Sequence, residues 1–239
     1  KNYSVVNPET KILLEDFTGT WCGYCPPVKY AIEQALETYP NKITVVATHQ
    51  NDQFAISQEE ELINGLGPFG LPEARINRAI EWVDPYELNQ LDGYLNDEND
   101  IAISIDSNIE NEILQIKVRF VSRNALNNHK LVVYLLEDGL IADQSNYLNF
   151  DETSYFYNQG NPIIDYEHND VLRHTFTNVL GEQLGNIEPY EDVINFYNID
   201  LSTNNFQSEN LRIVAFITDS ENLTINSQYV SVGEFQDFN

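Results

Sequence analysis

The chain opens its ordered pattern with Lys11–Phe17, a nearly unbroken apolar run. Within a few residues come Cys22-Gly23-Tyr24-Cys25, then Pro26-Pro27 and an apolar helical stripe. This succession limits the fold more tightly than any other stretch. The run reads as a buried strand, and Thr18-Gly19-Thr20 turns it. Two prolines suit the first turn of a helix, where a missing N–H leaves no bond unmade. Val28, Ala31, Ile32, Ala35 and Leu36 then fall on one helical face. Tyr39-Pro40-Asn41 ends the helix, and the β-branched run Ile43–Thr48 reads as a parallel strand. The result is a βαβ unit. Cys22 sits at the mouth of its helix, where the dipole and unpaired N–H groups favour a thiolate.

Cys22 and Cys25 are the only cysteines. A bridge between them closes so short a loop that it removes little entropy from the unfolded chain, so stability is a poor reason for the pair. Two cysteines at this spacing also supply half of a tetrahedral zinc set. No second such pair or spaced histidine pair completes one, and His49, His129, His168 and His174 are scattered. The spacing points to a reversible disulfide, with no metal and no cofactor expected.

Strand, Asp16, dithiol, helix, strand and Gly70-Leu71-Pro72, in that order, resemble the thioredoxin superfamily over about residues 10–97. Read from the residues alone, Asp16 is a strand-end carboxylate facing water and Pro72 an ordinary turn proline. The resemblance implies otherwise. Asp16, six residues before Cys22, takes the place of a buried proton acceptor, and Pro72 that of a cis-proline facing the cysteines. It also implies that Cys22, at the surface, is the nucleophile and that the more buried Cys25 resolves the mixed disulfide. Trp21, Tyr24 and Leu71 are expected to meet the substrate chain. Gly23-Tyr24 matches neither the Gly-Pro of reducing thioredoxins nor the Gly-His of disulfide isomerases, so the redox direction is open. No Arg or Lys lies between Asp16 and Val28.

Two helix starts are expected farther on. Ser57-Gln-Glu-Glu60 has the form of a capping box, and Asp84-Pro85-Tyr86-Glu87 combines an N-cap, a proline at N1 and an acid at N3. The polar run Asn96–Asp100 reads as a linker. Beyond it the period becomes two: Ile101, Ile103 and Ile105, then Leu114, Ile116, Val118 and Phe120, alternate with polar or small residues. Lys130–Glu137, Val193–Leu201, Leu211–Thr218 and Leu223–Val232 read as further strands, and residues 143–192 as a partly ordered excursion with an element near Val171–Leu180. The expected architecture is an α/β thioredoxin-like domain over 1–97 followed by an all-β immunoglobulin-like sandwich over 98–239.

Three stretches, Leu13–Gly19, Gly70–Arg78 and Glu167–Arg173, resemble bacterial cell-envelope lipoproteins named for a twenty-eight-kilodalton outer-membrane protein. The resemblance implies an exported protein, periplasmic or anchored at the outer membrane, and the chain starts at Lys1 as one trimmed of a leader or anchor segment would. His168 and Arg173, inside the third stretch, read as a hydrogen-bonded pair, since nothing nucleophilic accompanies them. A net charge of −26 sets the chain against nucleic acid and anionic membranes, and no run is long enough to span a bilayer. The expected function is a thiol-disulfide oxidoreductase of the envelope. Its partners would be protein or peptide disulfides and thiols, with an envelope redox partner to recycle the dithiol. The alternative is a non-catalytic binding or structural lipoprotein that keeps a thioredoxin scaffold.

Overall fold

A computed structural model describes residues 8–67 and 70–238; the Lys1 terminus lies outside them. In chain order the elements are β1 (Ile12–Thr18), α1 (Pro26–Thr38), β2 (Ile43–His49), α2 (Glu59–Leu66), β3 (Glu73–Ile76), β4 (Ile80–Trp82) and α3 (Asn89–Leu95). There follow β5 (Ile101–Glu110), β6 (Ile113–Ser122), β7 (Lys130–Glu137), β8 (Leu140–Gln144), β9 (Ile163–His168) and β10 (Val171–Thr175). The chain ends with β11 (Glu182–Gln183), β12 (Val193–Asp200), β13 (Leu211–Thr218), β14 (Thr224–Ser231) and β15 (Phe235–Gln236).

β1 pairs in parallel with β2 and antiparallel with β3, and the α1 crossover joins the two parallel strands. The sheet does not stop there. Its order is β14-β13-β7-β10-β2-β1-β3-β4, with β11 added on β7. β10 lies between β2 and β7, so the division at residues 97 and 98 marks a change of sequence pattern while the sheet runs across it. The polar run before β5 is a turn more than a linker: Asn99 is buried and its Oδ1 accepts the Ile101 N–H at 2.9 Å.

Alternation along the strands sorts the core. On one face Ile12 and Leu14 pack under Val28, Ala31, Ile32 and Ala35 of α1. A separate sheet, ordered β12-β6-β5-β15, lies against β7 and β13 through Ile103, Val118 and Phe120 on one side and Val133, Ile213 and Ala215 on the other. The opposite face of the large sheet buries Leu13, Phe17, Val46, Tyr134 and Phe216 with Leu62 of α2.

Both expected capping signals fail for local reasons. The Ser57 hydroxyl donates to Gln58 Oε1 at 2.9 Å instead of accepting a helix N–H, and α2 begins at Glu59 with no side-chain cap. Tyr86 is left-handed at φ 59°, a conformation a right-handed helix excludes. α3 accordingly begins only at Asn89.

Candidate active site

β1 runs into the Thr18–Thr20 turn and delivers the dithiol to the start of α1. The Cys22 N–H donates to Gly19 O at 2.9 Å, Cys25 N–H to Cys22 O at 3.2 Å and Val28 N–H to Cys25 O at 3.0 Å. Cys22 and Cys25 are joined as a disulfide, with their Cα atoms 5.4 Å apart. Their exposures are 4% and 2%, so Cys22 is not the surface thiol expected from the sequence. The reason is a segment from the other half of the chain. Gln144 Nε2 donates to Cys22 O at 2.9 Å, Ser145 N–H to Thr20 O at 2.8 Å and Tyr147 N–H to Gly23 O at 2.9 Å.

Asp16 lies on the α1 face of β1, in register with Ala47 of β2. It is buried, and its Oδ1 has no hydrogen-bond partner among the described residues. Together with Cys25, Lys29, His49, Gln144 and His168 it lines a cavity of about 30 Å³, enough for about one water. The same carboxylate also lines a wider cleft of about 330 Å³, together with Asp138, Asp170 and Arg212. Burial, reinforced by the Asp170 charge and opposed by Lys29, pushes its pKa up to about 8. A carboxyl with that pKa exchanges protons near neutral pH.

The histidines around this cavity are ordered by contacts that the sequence does not reveal. His49 Nδ1 and Asp52 Oδ2 are 2.7 Å apart, and Asp52 also accepts the Thr20 N–H at 2.8 Å and the Phe54 N–H at 2.9 Å. Burial alone would raise the Asp52 pKa, but His49 and these two N–H donors bring it below the usual carboxylate range. The His168 ring meets the His49 ring edge-on at 5.1 Å. Burial first, then the neighbouring His49 and Lys29, lower its pKa to about 4, so it is neutral at pH 7. His168 and Arg173 do not pair with each other: Arg173 reaches Glu137 at 3.2 Å, whereas His168 turns to the cavity.

The Leu71–Pro72 peptide is cis. Phe17 pairs with Glu73, so Pro72 falls in register opposite Thr18, at the sheet end that carries the cysteine turn. The Leu71 side chain, half-buried, packs against the cluster of Leu13, Phe17 and Leu62. Trp21 is 47% exposed and donates Nε1–H to Gln50 O at 2.7 Å, while Tyr24 is 55% exposed and meets Tyr147 edge-to-face at 5.3 Å. Sequence reasoning missed Gln144, Tyr147, Asp170 and Lys29, and read His168 as half of a pair with Arg173. The signals present were the Glu167–Arg173 stretch, which holds His168 and Asp170, and Lys29 as the first cation after Asp16. Among the described residues no group of three His, Cys, Asp or Glu side chains gathers as a metal site, and no helix is long and apolar enough to cross a membrane.

The sequence profile of the family described as outer membrane protein Omp28 matches residues 59–236. The chain belongs to the Omp28 family. It is therefore a cell-envelope protein associated with the outer membrane. The matched region begins after the dithiol and Asp16, so membership of the family carries no information about them. Among solved structures, HBP35 of Porphyromonas gingivalis is 18% identical, covers 94% of this chain and 76% of its own, and superposes with a TM-score of 0.76. Protein AGR_C_4864 from Agrobacterium tumefaciens is 11% identical over 96% of this chain and 97% of its own, with a TM-score of 0.57. These likenesses are of fold. No curated protein matches the chain.

Proposed function

We propose that this Omp28-family protein is a thiol-disulfide oxidoreductase of the cell envelope, built on a thioredoxin-like arrangement of β1, α1, β2 and β3. The observation that carries the reading is the buried Asp16, without a hydrogen-bond partner on Oδ1, sharing a water-sized cavity with Cys25 of the Cys22–Cys25 pair. Among the described residues the Asp16 carboxylate forms no ion pair that would offset the cost of its burial.

With the pair reduced, the Cys22 thiolate attacks a protein or peptide disulfide, forms a mixed disulfide and expels one substrate thiolate. The Cys25 proton passes to Asp16 across the cavity, which has room for a relaying water, and the Cys25 thiolate attacks Cys22 Sγ. The second substrate thiolate leaves, the Cys22–Cys25 bond closes, and two electrons have passed to the substrate. Asp16 then gives its proton to solvent in the wider cleft. Run backward, the same steps oxidise a substrate dithiol, and a partner dithiol or disulfide resets the pair. Pro72, Leu71, Trp21 and Tyr24 border the turn at which the substrate chain would lie.

The family match starting at residue 59 favours a second reading, in which the C-terminal strands bind an envelope ligand and the dithiol is a remnant of the scaffold. Equilibration in glutathione redox buffers and an insulin-reduction assay, with Cys22→Ser and Cys25→Ser as controls, separate the two. A measurable two-electron potential and insulin reduction abolished by Cys22→Ser support the oxidoreductase. Insulin reduction no faster than that of a free dithiol supports the scaffold.

A further inference from the structure

The segment that buries Cys22 is a built unit. Asn146, fully buried, donates Nδ2–H to Phe156 O at 3.0 Å and to Gly160 O at 2.9 Å, and its Oδ1 accepts the Leu148 N–H at 3.1 Å. Asn161 Oδ1 accepts the Asn146 N–H at 3.0 Å, and Asn149 Oδ1 accepts the Gly160 N–H at 2.7 Å. Residues 146–161 thus close on themselves as a compact loop with neighbouring ends. Outside that loop they touch α1 through the stack of Tyr155 on Tyr30 at 4.4 Å. The dithiol turn is held by Gln144 Nε2, the Ser145 N–H and, from within that loop, the Tyr147 N–H. The Tyr147 ring lies flat on Gly23, so close that a methyl group added there would overlap it.

We propose that Gln144–Asn161 is a cover standing in for a substrate chain on the dithiol turn, and that Tyr147 is the residue deciding which disulfides reach Cys22. This rests on the oxidoreductase reading for its biological meaning, though not for its test. The geometry follows from how disulfides exchange: the attacking thiolate must reach a sulfur, so access controls rate. With Cys22 at 4% exposure, exchange requires the cover to leave. What it vacates defines what can replace it. The Thr20 and Gly23 carbonyls lose the Ser145 and Tyr147 N–H donors, and a flat patch over Gly23 loses its ring. An extended polypeptide strand supplies two N–H groups that far apart and an aromatic side chain beside them. A compact small-molecule disulfide supplies neither. The substrate class is therefore an unfolded or extended chain with an aromatic residue near its disulfide, and the absence of Cβ at residue 23 is what lets that ring lie down.

The test measures the rate at which dithiothreitol reduces Cys22–Cys25 in the full chain, by acid quench and alkylation, beside the equilibrium reduction potential. Tyr147→Ala should be reduced roughly tenfold faster, the rate equivalent of one lost aromatic contact, with an unchanged potential. Tyr147→Phe, which keeps the ring, should match the wild type. Gly23→Ala, which pushes the ring off, should accelerate reduction as Tyr147→Ala does. In the wild type, reduction should be at least roughly tenfold slower than in a peptide spanning Trp21–Pro26, a comparison that needs no variant to fold. Equal rates for wild type and peptide, or a folded Tyr147→Ala no faster than wild type, would overturn the cover. Because the reductant is chemical, a slow wild-type disulfide in a protein inactive on insulin sinks the oxidoreductase and leaves the cover. An active protein with unshielded rates sinks the cover alone.

Discussion

Glu15 and Asp16 are neighbours on β1, both buried, and they point to opposite faces of the same sheet. On one face Glu15 meets Arg78, with Arg78 Nη2 at 3.2 Å from its Oε1. Arg78 Nη2 also donates to the Tyr134 hydroxyl at 2.7 Å and to Val179 O at 3.2 Å, and the guanidinium lies 4.8 Å over the Phe216 ring. On the other face Asp16 meets a cavity, and Lys29 acts on it as a charge in the cleft while bonding elsewhere. One residue of offset along a strand thus separates a carboxylate buried against a cationic partner from one buried without such a bond. A buried charge kept without a matching partner is retained for chemistry more readily than for stability.

Both faces draw on residues beyond position 97: Tyr134 and Val179 complete the Arg78 site, while Gln144, His168 and Asp170 complete the Asp16 site. The largest expected effect follows from that sharing. A chain ending at residue 97 exposes the β2 edge that β10 covers and strands Arg78, so it should show no cooperative urea transition by circular dichroism. A sharp transition in that fragment would mean that the two faces are independent. Next in size is Arg78→Ala, which leaves Glu15 buried and unpaired. It should lower unfolding free energy by about 3–5 kcal/mol, and Glu15→Gln combined with Arg78→Met should restore much of the loss. Urea midpoints of the single and double variants provide the check.

The contrast between the faces also explains what could be read in advance. Strand and helix of the βαβ unit were legible because their apolar periods are local, as were β5, β6, β13 and β14. Asp16 and Pro72 were candidates only through the resemblance to the thioredoxin superfamily; by themselves they read as a water-facing carboxylate and an ordinary turn proline. The fate of Glu15 was not, since Arg78 appears in the sequence only as one more basic residue. The placement of Gln144, Tyr147, His168 and Asp170 was hidden for a different reason. The first three reach the dithiol, and Asp170 the Asp16 cleft, because β10 inserts beside β2 and β8 leads into the cover, a crossover that no local pattern encodes. The capping signals at Ser57 and Asp84 failed because a neighbouring side chain, Gln58, and a left-handed backbone at Tyr86 won locally.

Asp16→Asn should act in the opposite direction to Arg78→Ala. The folded-state pKa of about 8 stands above the ordinary 3.8. Folding is therefore unpenalised below pH 4 and loses stability as pH rises toward 8, beyond which the penalty is constant. Removing the charge should stabilise the protein by on the order of 2–4 kcal/mol at pH 8 and by little at pH 4. The same variant should slow resolution of a trapped mixed disulfide by Cys25. Stability curves at the two pH values, with stopped-flow release of substrate thiol, measure both effects. A destabilised variant with unchanged release would place Asp16 with Glu15 as a structural acid.

The smallest effect in stability is expected from Lys29→Met, and it tests the Asp16 face most directly. Lys29 Nζ donates to Glu167 O at 2.6 Å, lies 3.3 Å from Glu33 Oε1 and sits 4.5 Å from the centre of the Tyr166 ring. The Glu33 pair is one helical turn away and half exposed, so its loss, with that of the other contacts partly replaced by the apolar stem of Met, should change stability by less than about 1 kcal/mol. The charge has a second effect, because it draws the Asp16 pKa down against burial and Asp170. Without it the Asp16 carboxyl should hold its proton to higher pH. The inflection in the pH profile of mixed-disulfide resolution should then move upward from about 8, and the small loss of stability should be larger above that pH than below it. Glu15 faces the other way, so the Arg78 site should be untouched. An inflection that stays in place would mean that Lys29 only ties α1 to β9 and that the cleft carries no electrostatic control of Asp16.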